Sequence, residues 1–240
     1  PMPLEFSVAA VRLGHSMARA SYDWNRIFST ANGRMATFEE LFQFTGNEKM
    51  PTTRLPSNWP IAWDRFVHAP GEDDMRSALK IDAGLNKFFA EMLNEEPGAS
   101  LAMRHLARRN LRRGYRLNIP TAQGCLDALA ARGIDLPRLD EAQLLSGHTG
   151  EAVEAGGFHQ ATPLWFYVLK EAEVLAEGDR LGPLGTVLVA DTLIGLLKHT
   201  PRSYVAEAPG GAAWTPAQSV RPNGVEVTDM ASMMQAAALL

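Results

Sequence analysis

The sequence predicts a mostly α protein organised as a single domain over residues 1–240, and three observations carry that prediction. Apolar residues recur at three- and four-residue intervals, helix-start signatures precede several of those stretches, and neither an internal repeat nor a series of alternating strands appears. With 240 residues, 46% of them hydrophobic, the chain is long enough to bury a sizeable core.

The first element is a helical run from Leu4 to Met17. Phe6, Ala10, Leu13 and Met17, followed by Trp24, keep the rhythm of a core-facing stripe, which leaves Arg12 and His15 on the other side with Val8, Val11, Arg19 and Tyr22. Thr37-Phe38-Glu39-Glu40 has the capping-box pattern and opens a helix over Phe38 to Phe44. Met50 to Pro60, rich in Pro, Thr and Ser, reads as an irregular connection. Ser100 to Gly114 is predicted to be helical, with Met103, Leu106, Asn110 and Leu117 on one stripe.

Asp140-Glu141-Ala142-Gln143 offers a second box before Leu144 and Leu145. Thr162-Pro163, a cap residue followed by proline at the first helical position, launches a helix over Leu164 to Ala176, and Glu177-Gly178 stops it. Another helix runs from Pro183 to Lys198. Ala206 to Asn223 is irregular, and Val227 to Leu240 closes the chain with a short helix.

Several function classes fall away. The formal charge of −4, and the lack of an aromatic series interleaved with Arg104, Arg108, Arg109, Arg112, Arg113 and Arg116, where Tyr115 stands alone, argue against a nucleic-acid partner. No run reaches the length of a membrane-spanning helix; Pro183 to Leu197, the most apolar segment, contains Asp191 and glycines and reads as buried helix. Cys125 is the only cysteine, so an internal disulfide is excluded, while compartment and oligomeric state stay open. His68, His105, His148, His159 and His199 show no metal-ligand spacing, and no Gly-x-Ser-x-Gly or phosphate-binding loop appears. Trp165, Phe166 and Tyr167 read as core packing before substrate channel, and Tyr22 as packing before radical site.

Two features carry chemistry. Arg12 and His15 stand three apart, so on a helix a guanidinium and an imidazole reach one planar ligand, with Gly14 removing bulk between them. Asn110 places an amide where its stripe expects an apolar residue, and an amide buried without partners costs on the order of 1–3 kcal/mol, so a specific hydrogen bond is expected. One such bond runs from a ligand histidine's Nδ1–H to the amide oxygen while Nε2 binds a metal. The residues alone favour a hydrogen-bonded histidine without metal and an asparagine that satisfies backbone groups at a helix end.

Taken in order, the Arg12-Leu13-Gly14-His15 helix and the Asn110-x-x-Arg113 segment resemble the proximal half of the animal-type haem peroxidase superfamily, to which cyclooxygenases and fatty-acid dioxygenases also belong. The similarity covers most of the chain, and Gly178 to Gly185 resembles the loop before a C-terminal helix of that fold. The resemblance implies a haem-peroxidase-like helical domain with haem b as cofactor. It makes His15 the axial iron ligand, Asn110 the residue that orients it, and Arg12 and Arg113 the partners of haem propionates.

Departures loosen the subfamily: Leu13 stands where members carry an aromatic residue, and Gly114-Tyr115-Arg116-Leu117 replaces their Arg-Asp-His-Gly. The family's distal histidine and arginine, its calcium-binding aspartate and its haem-ester carboxylates would precede Phe6, so the domain is expected to be N-terminally incomplete and calcium is not placed. The implied activity is reduction of hydrogen peroxide coupled to oxidation of a small donor or halide, a response to oxidative stress. A fatty-acid dioxygenase is the alternative within the superfamily, disfavoured because Arg12 occupies the position of the radical-forming tyrosine. The alternative from another class is a haem-free helical interaction module.

Overall fold

The structure, a computed structural model, describes residues 2–45, 55–67, 77–92, 98–201, 203 and 221–239. His68 and the predicted connections over 50–54 and 206–220 lie outside them. The described residues are mostly helical. In chain order the α-helices are α1 (Phe38–Thr45), α2 (Leu101–Arg104), α3 (Leu106–Arg116), α4 (Ala122–Ala130), α5 (Glu141–Leu144), α6 (Gly150–Ala155), α7 (Leu164–Ala176), α8 (Pro183–His199) and α9 (Met230–Ala236). Among the described residues, no helix is long and apolar enough to cross a membrane. Contacts sort the chain into two compact units, Pro1–Ala18 with Leu79–Glu207, and Arg19–Ala78 with Ala208–Leu240.

The first unit is built on α7. Leu164, Trp165, Tyr167, Val168, Leu169 and Ala172 are all buried, joined by Leu126 of α4, Leu144 of α5 and Leu184 of α8. Burying six such side chains supplies much of the unit's hydrophobic stabilisation, at roughly 1.5–3 kcal/mol for each large one. Two charged residues share this burial. Lys170 Nζ donates to Ser146 O at 2.9 Å and to Glu173 Oε1 at 2.8 Å. Glu171 accepts from the Leu184 and Gly185 amides at 3.0 and 3.1 Å, satisfying two donors at the start of α8 that have no partner within that helix.

The predicted stop of α7 is as expected. Glu177 (φ 51°) and Gly178 (φ 74°) are both left-handed, and a Cβ on Gly178 would stand 2.9 Å from Ile81 O, where the Ile81 amide donates back to Gly178 O at 2.8 Å. The predicted start differs. Pro163, not Thr162, occupies the cap position, because Thr162 is taken by Gln123, which accepts from its amide at 3.0 Å and donates to its hydroxyl at 2.8 Å.

The segment expected as one helix over Ser100 to Gly114 is broken. His105 is extended (ψ 106°), and its Nδ1 accepts from the Arg108 amide at 3.5 Å, so the imidazole caps α3. The break rotates Met103 outward, leaves Leu117 exposed, and makes Leu106, Asn110 and Gly114 the buried stripe. The N-terminal run is helical without being regular α: a π-helical turn, Glu5–Ala9, passes into a 3-10 helix, Ala10–His15. Ala9 and Ala10 are fully buried, and these small side chains bring the segment's backbone against α7.

In the second unit, strands β1 (Ser21–Tyr22) and β2 (Ala36–Thr37) pair antiparallel, Ser21 with Thr37 and Tyr22 with Ala36. The predicted box starts α1: Thr37 Oγ1 accepts from the Glu40 amide and Glu40 Oε2 from the Thr37 amide. Phe28, Ala36 and Trp59 are its core, with Trp24, Leu41 and Phe44 packed against them. Trp24 thus leaves the N-terminal stripe for this cluster, where its Nε1 donates to Trp59 O at 2.7 Å. Helix α9 lies within the predicted terminal segment, capped by Asp229 and Ser232.

Candidate functional site

The 3-10 winding of Ala10–His15 sets three residues to a turn, so side chains three apart eclipse and Arg12 and His15 leave the segment on one face. From α3, Asn110, only 2% exposed, reaches both. Its Oδ1 accepts from Arg12 Nη1 at 3.2 Å and its Nδ2 stands 3.1 Å from His15 Nδ1. The expected helix-end role is therefore replaced by two side-chain contacts in mid-helix.

The direction of the His15 contact differs from expectation, for a simple reason. A guanidinium has donors and no acceptor, so the amide must turn its oxygen to Arg12, and its NH2 then faces the imidazole. In this arrangement neutral His15 accepts at Nδ1 and keeps its proton at Nε2. Arg12 is held further by Nε donating to Ser7 O at 3.2 Å, and its own carbonyl accepts from Trp165 Nε1 at 3.4 Å. The His15 ring lies against buried Phe89, centroids 6.0 Å apart. A Cβ on Gly14 would meet nothing within 4 Å, so the space beside it is open.

Electrostatics favour an uncharged imidazole. Burial first, then the charges of Arg12 and Arg109, hold His15 below the usual histidine range. Arg12 is likewise lowered by burial, then by Arg113 and Arg109. Positive charge therefore surrounds a neutral imidazole: Arg12 and Arg109 act on His15, and Arg113 and Arg109 on Arg12. Of these, Arg12, Arg113, His15 and Asn110 were singled out by sequence. In the sequence Arg109 stands only as one member of a basic cluster, and Phe89 gives no signal, because ring contact across the fold has no local pattern.

Elsewhere the structure sorts the remaining candidates. Tyr22 packs on Phe66, and its hydroxyl accepts from the Arg19 amide at 3.0 Å. Trp165 and Tyr167 are core. Phe166, together with one side of Trp165, borders a cavity of about 690 Å³ lined mainly by apolar side chains of α3, α6 and α7, of which Asn110 forms part of the wall. Arg104 pairs with Glu91 at 2.7 Å. Cys125 is buried and its thiol is pushed up to about 11 by burial, so it is no nucleophile. Among the described residues no group of three His, Cys, Asp or Glu is placed to hold a metal ion. A metal site here would rest on one imidazole with the other donors brought by a ligand.

Glu171 escaped the sequence reading altogether. Its signal is present: an acid one residue after a lysine, in a helix whose remaining charged residue is Glu173, seven positions before the glycine that opens Gly178 to Gly185. Gly182 is needed there because a Cβ would fall 2.3 Å from Glu171 Cγ. No family model, no curated protein and no solved structure matches the chain.

Proposed function

We propose that the chain supplies the proximal half of a haem peroxidase site: His15 Nε2 ligates the iron of haem b, Asn110 orients the imidazole, and Arg12 and Arg113 pair with the porphyrin's carboxylates. The observation that supports this reading is the contact chain from Arg12 through buried Asn110 to His15. The donor set fits the group. A porphyrin brings four nitrogens and needs one from protein, a neutral imidazole offers Nε2 once its proton lies on Nδ1, and guanidiniums suit carboxylates through paired N–H bonds. When bound, the haem supplies the redox iron with which hydrogen peroxide is reduced and a small donor or halide oxidised.

Each residue then has a definite task. Asn110, packed in α3 and shielded from water, fixes the plane of the imidazole, which determines where the ring nitrogen points and how basic it is. Arg12 and Arg113 lower the cost of placing two carboxylates beside protein. These groups all belong to the iron side of such a site; acid–base transfer to peroxide falls to groups on the opposite side.

Optical titration of the purified chain with haemin, wild type against His15→Ala, tests the assignment. A histidine-ligated Soret band in wild type that is lost in the variant is expected. The same band in both proteins, or none in wild type, overturns it.

A further inference from the structure

We infer that Arg12 is a latch that selects for ligands carrying a free carboxylate, because it holds Asn110 in the orientation that keeps the His15 proton on Nε2. The identity of the ligand rests on the haem reading above; the latch itself rests on the contacts alone.

The geometry leaves one consistent assignment. Arg12 Nη1 donates to Asn110 Oδ1 at 3.2 Å, and the amide nitrogen is then the atom 3.1 Å from His15 Nδ1. An amide nitrogen only donates, so Nδ1 must be the lone-pair nitrogen and Nε2 the protonated one. A metal at Nε2 needs the reverse: the proton on Nδ1 and an acceptor facing it. Turning the Asn110 amide over would provide that acceptor but would set its NH2 against the guanidinium, donor against donor. Asn110 is 2% exposed, so water is not at hand to relieve the clash. While Arg12 stays on Asn110, Nε2 has no lone pair to give.

A carboxylate releases the latch. Arg12 is partly exposed, and the guanidinium that donates to Asn110 Oδ1 carries a charge disfavoured by burial and by the neighbouring charges of Arg113 and Arg109, so a carboxylate that reaches it competes with the neutral amide oxygen. Once Arg12 turns to the carboxylate, the Asn110 oxygen is free to face His15, the proton moves from Nε2 to Nδ1, and Nε2 becomes a ligand. Ligation and carboxylate capture are thereby coupled, and a porphyrin without free carboxylates is rejected by the imidazole even though its iron is unchanged.

The full chain is titrated with haemin and with its dimethyl ester, in wild type and in Arg12→Met. Wild type is expected to give the histidine-ligated band with haemin and to bind the ester in that mode at least tenfold more weakly. Arg12→Met should reverse the order, gaining tenfold or more for the ester while losing affinity for the free acid; mere propionate pairing predicts no gain for the ester. Arg12→Gln, whose amide can face either end of Asn110, is the second variant should loss of the Ser7 contact impair folding. Equal ligation of both porphyrins by wild type overturns the latch and leaves the haem reading standing.

If neither porphyrin is ligated by wild type, the haem reading fails and the latch is decided by 15N NMR of the imidazole above its titration range. An Nε2–H tautomer in wild type, with an increased Nδ1–H population in Arg12→Met and Nδ1–H in Asn110→Asp, upholds it. Nδ1–H in wild type overturns it.

Discussion

At the scale of single residues, the chemistry of this chain turns on an amide that two neighbours use in opposite senses. Asn110 accepts from Arg12 and faces His15 with its nitrogen, so Asn110→Leu deprives both neighbours at once. The expected cost is on the order of 1–3 kcal/mol, read as a lower denaturation midpoint at unchanged slope. A variant as stable as wild type would mean that the amide is not buried between them. Asn110 was legible from sequence because a polar group interrupted an apolar stripe, and Arg12 and His15 because three-residue spacing brings side chains together in either kind of helix. The sense of the hydrogen bond was not legible, since it depends on which neighbour lacks an acceptor, and that is known only when the three groups share a place. Gly14 shows the converse: a plausible spacer by position, it borders open space.

At the scale of elements, punctuation proved readable and winding did not. The ends of α7 and α8 were anticipated closely from Pro163, Gly178 and Pro183, because glycine and proline act through their own backbone geometry. The break at His105 and the π and 3-10 turns before His15 arise from a ring capping an amide and from packing against α7, which leave the apolar rhythm almost unchanged. The bond between α7 and α8 through Glu171 also makes a pH prediction. Burial raises the Glu171 carboxyl above its ordinary range, against the two amide bonds that lower it. The folded state therefore holds its proton more tightly than the unfolded state, so this contribution to stability is full below the ordinary glutamate range and is lost as pH rises through the raised value. Denaturation at a series of pH values should show a decline over that window in wild type and a flatter profile in Glu171→Gln; parallel profiles would assign the decline to another group.

At the scale of the whole chain, no clean linker is legible between the two units, and the reason lies at the boundary itself. The first unit pauses at Ala18, yet the apolar rhythm from Phe6 to Met17 continues in register to Trp24, which packs in the other unit. What marks the boundary is a single backbone bond: the chain leaves after Met17 and returns at Leu79, whose amide donates to Met17 O at 3.2 Å. That bond closes a long loop, and bringing its ends together costs an entropy equivalent to roughly 3–4 kcal/mol before any contact offsets it. Residues 79–207 form a continuous stretch that carries α3, α7 and α8 and needs no such closure. Hydrogen exchange should accordingly protect the amides of α7 more strongly than those of 5–15, and equal protection would show that both parts open together. The sequence separation predicts an order of assembly: the stretch bearing Asn110 forms before the segment that delivers the imidazole, which joins it through the less local contacts of the unit.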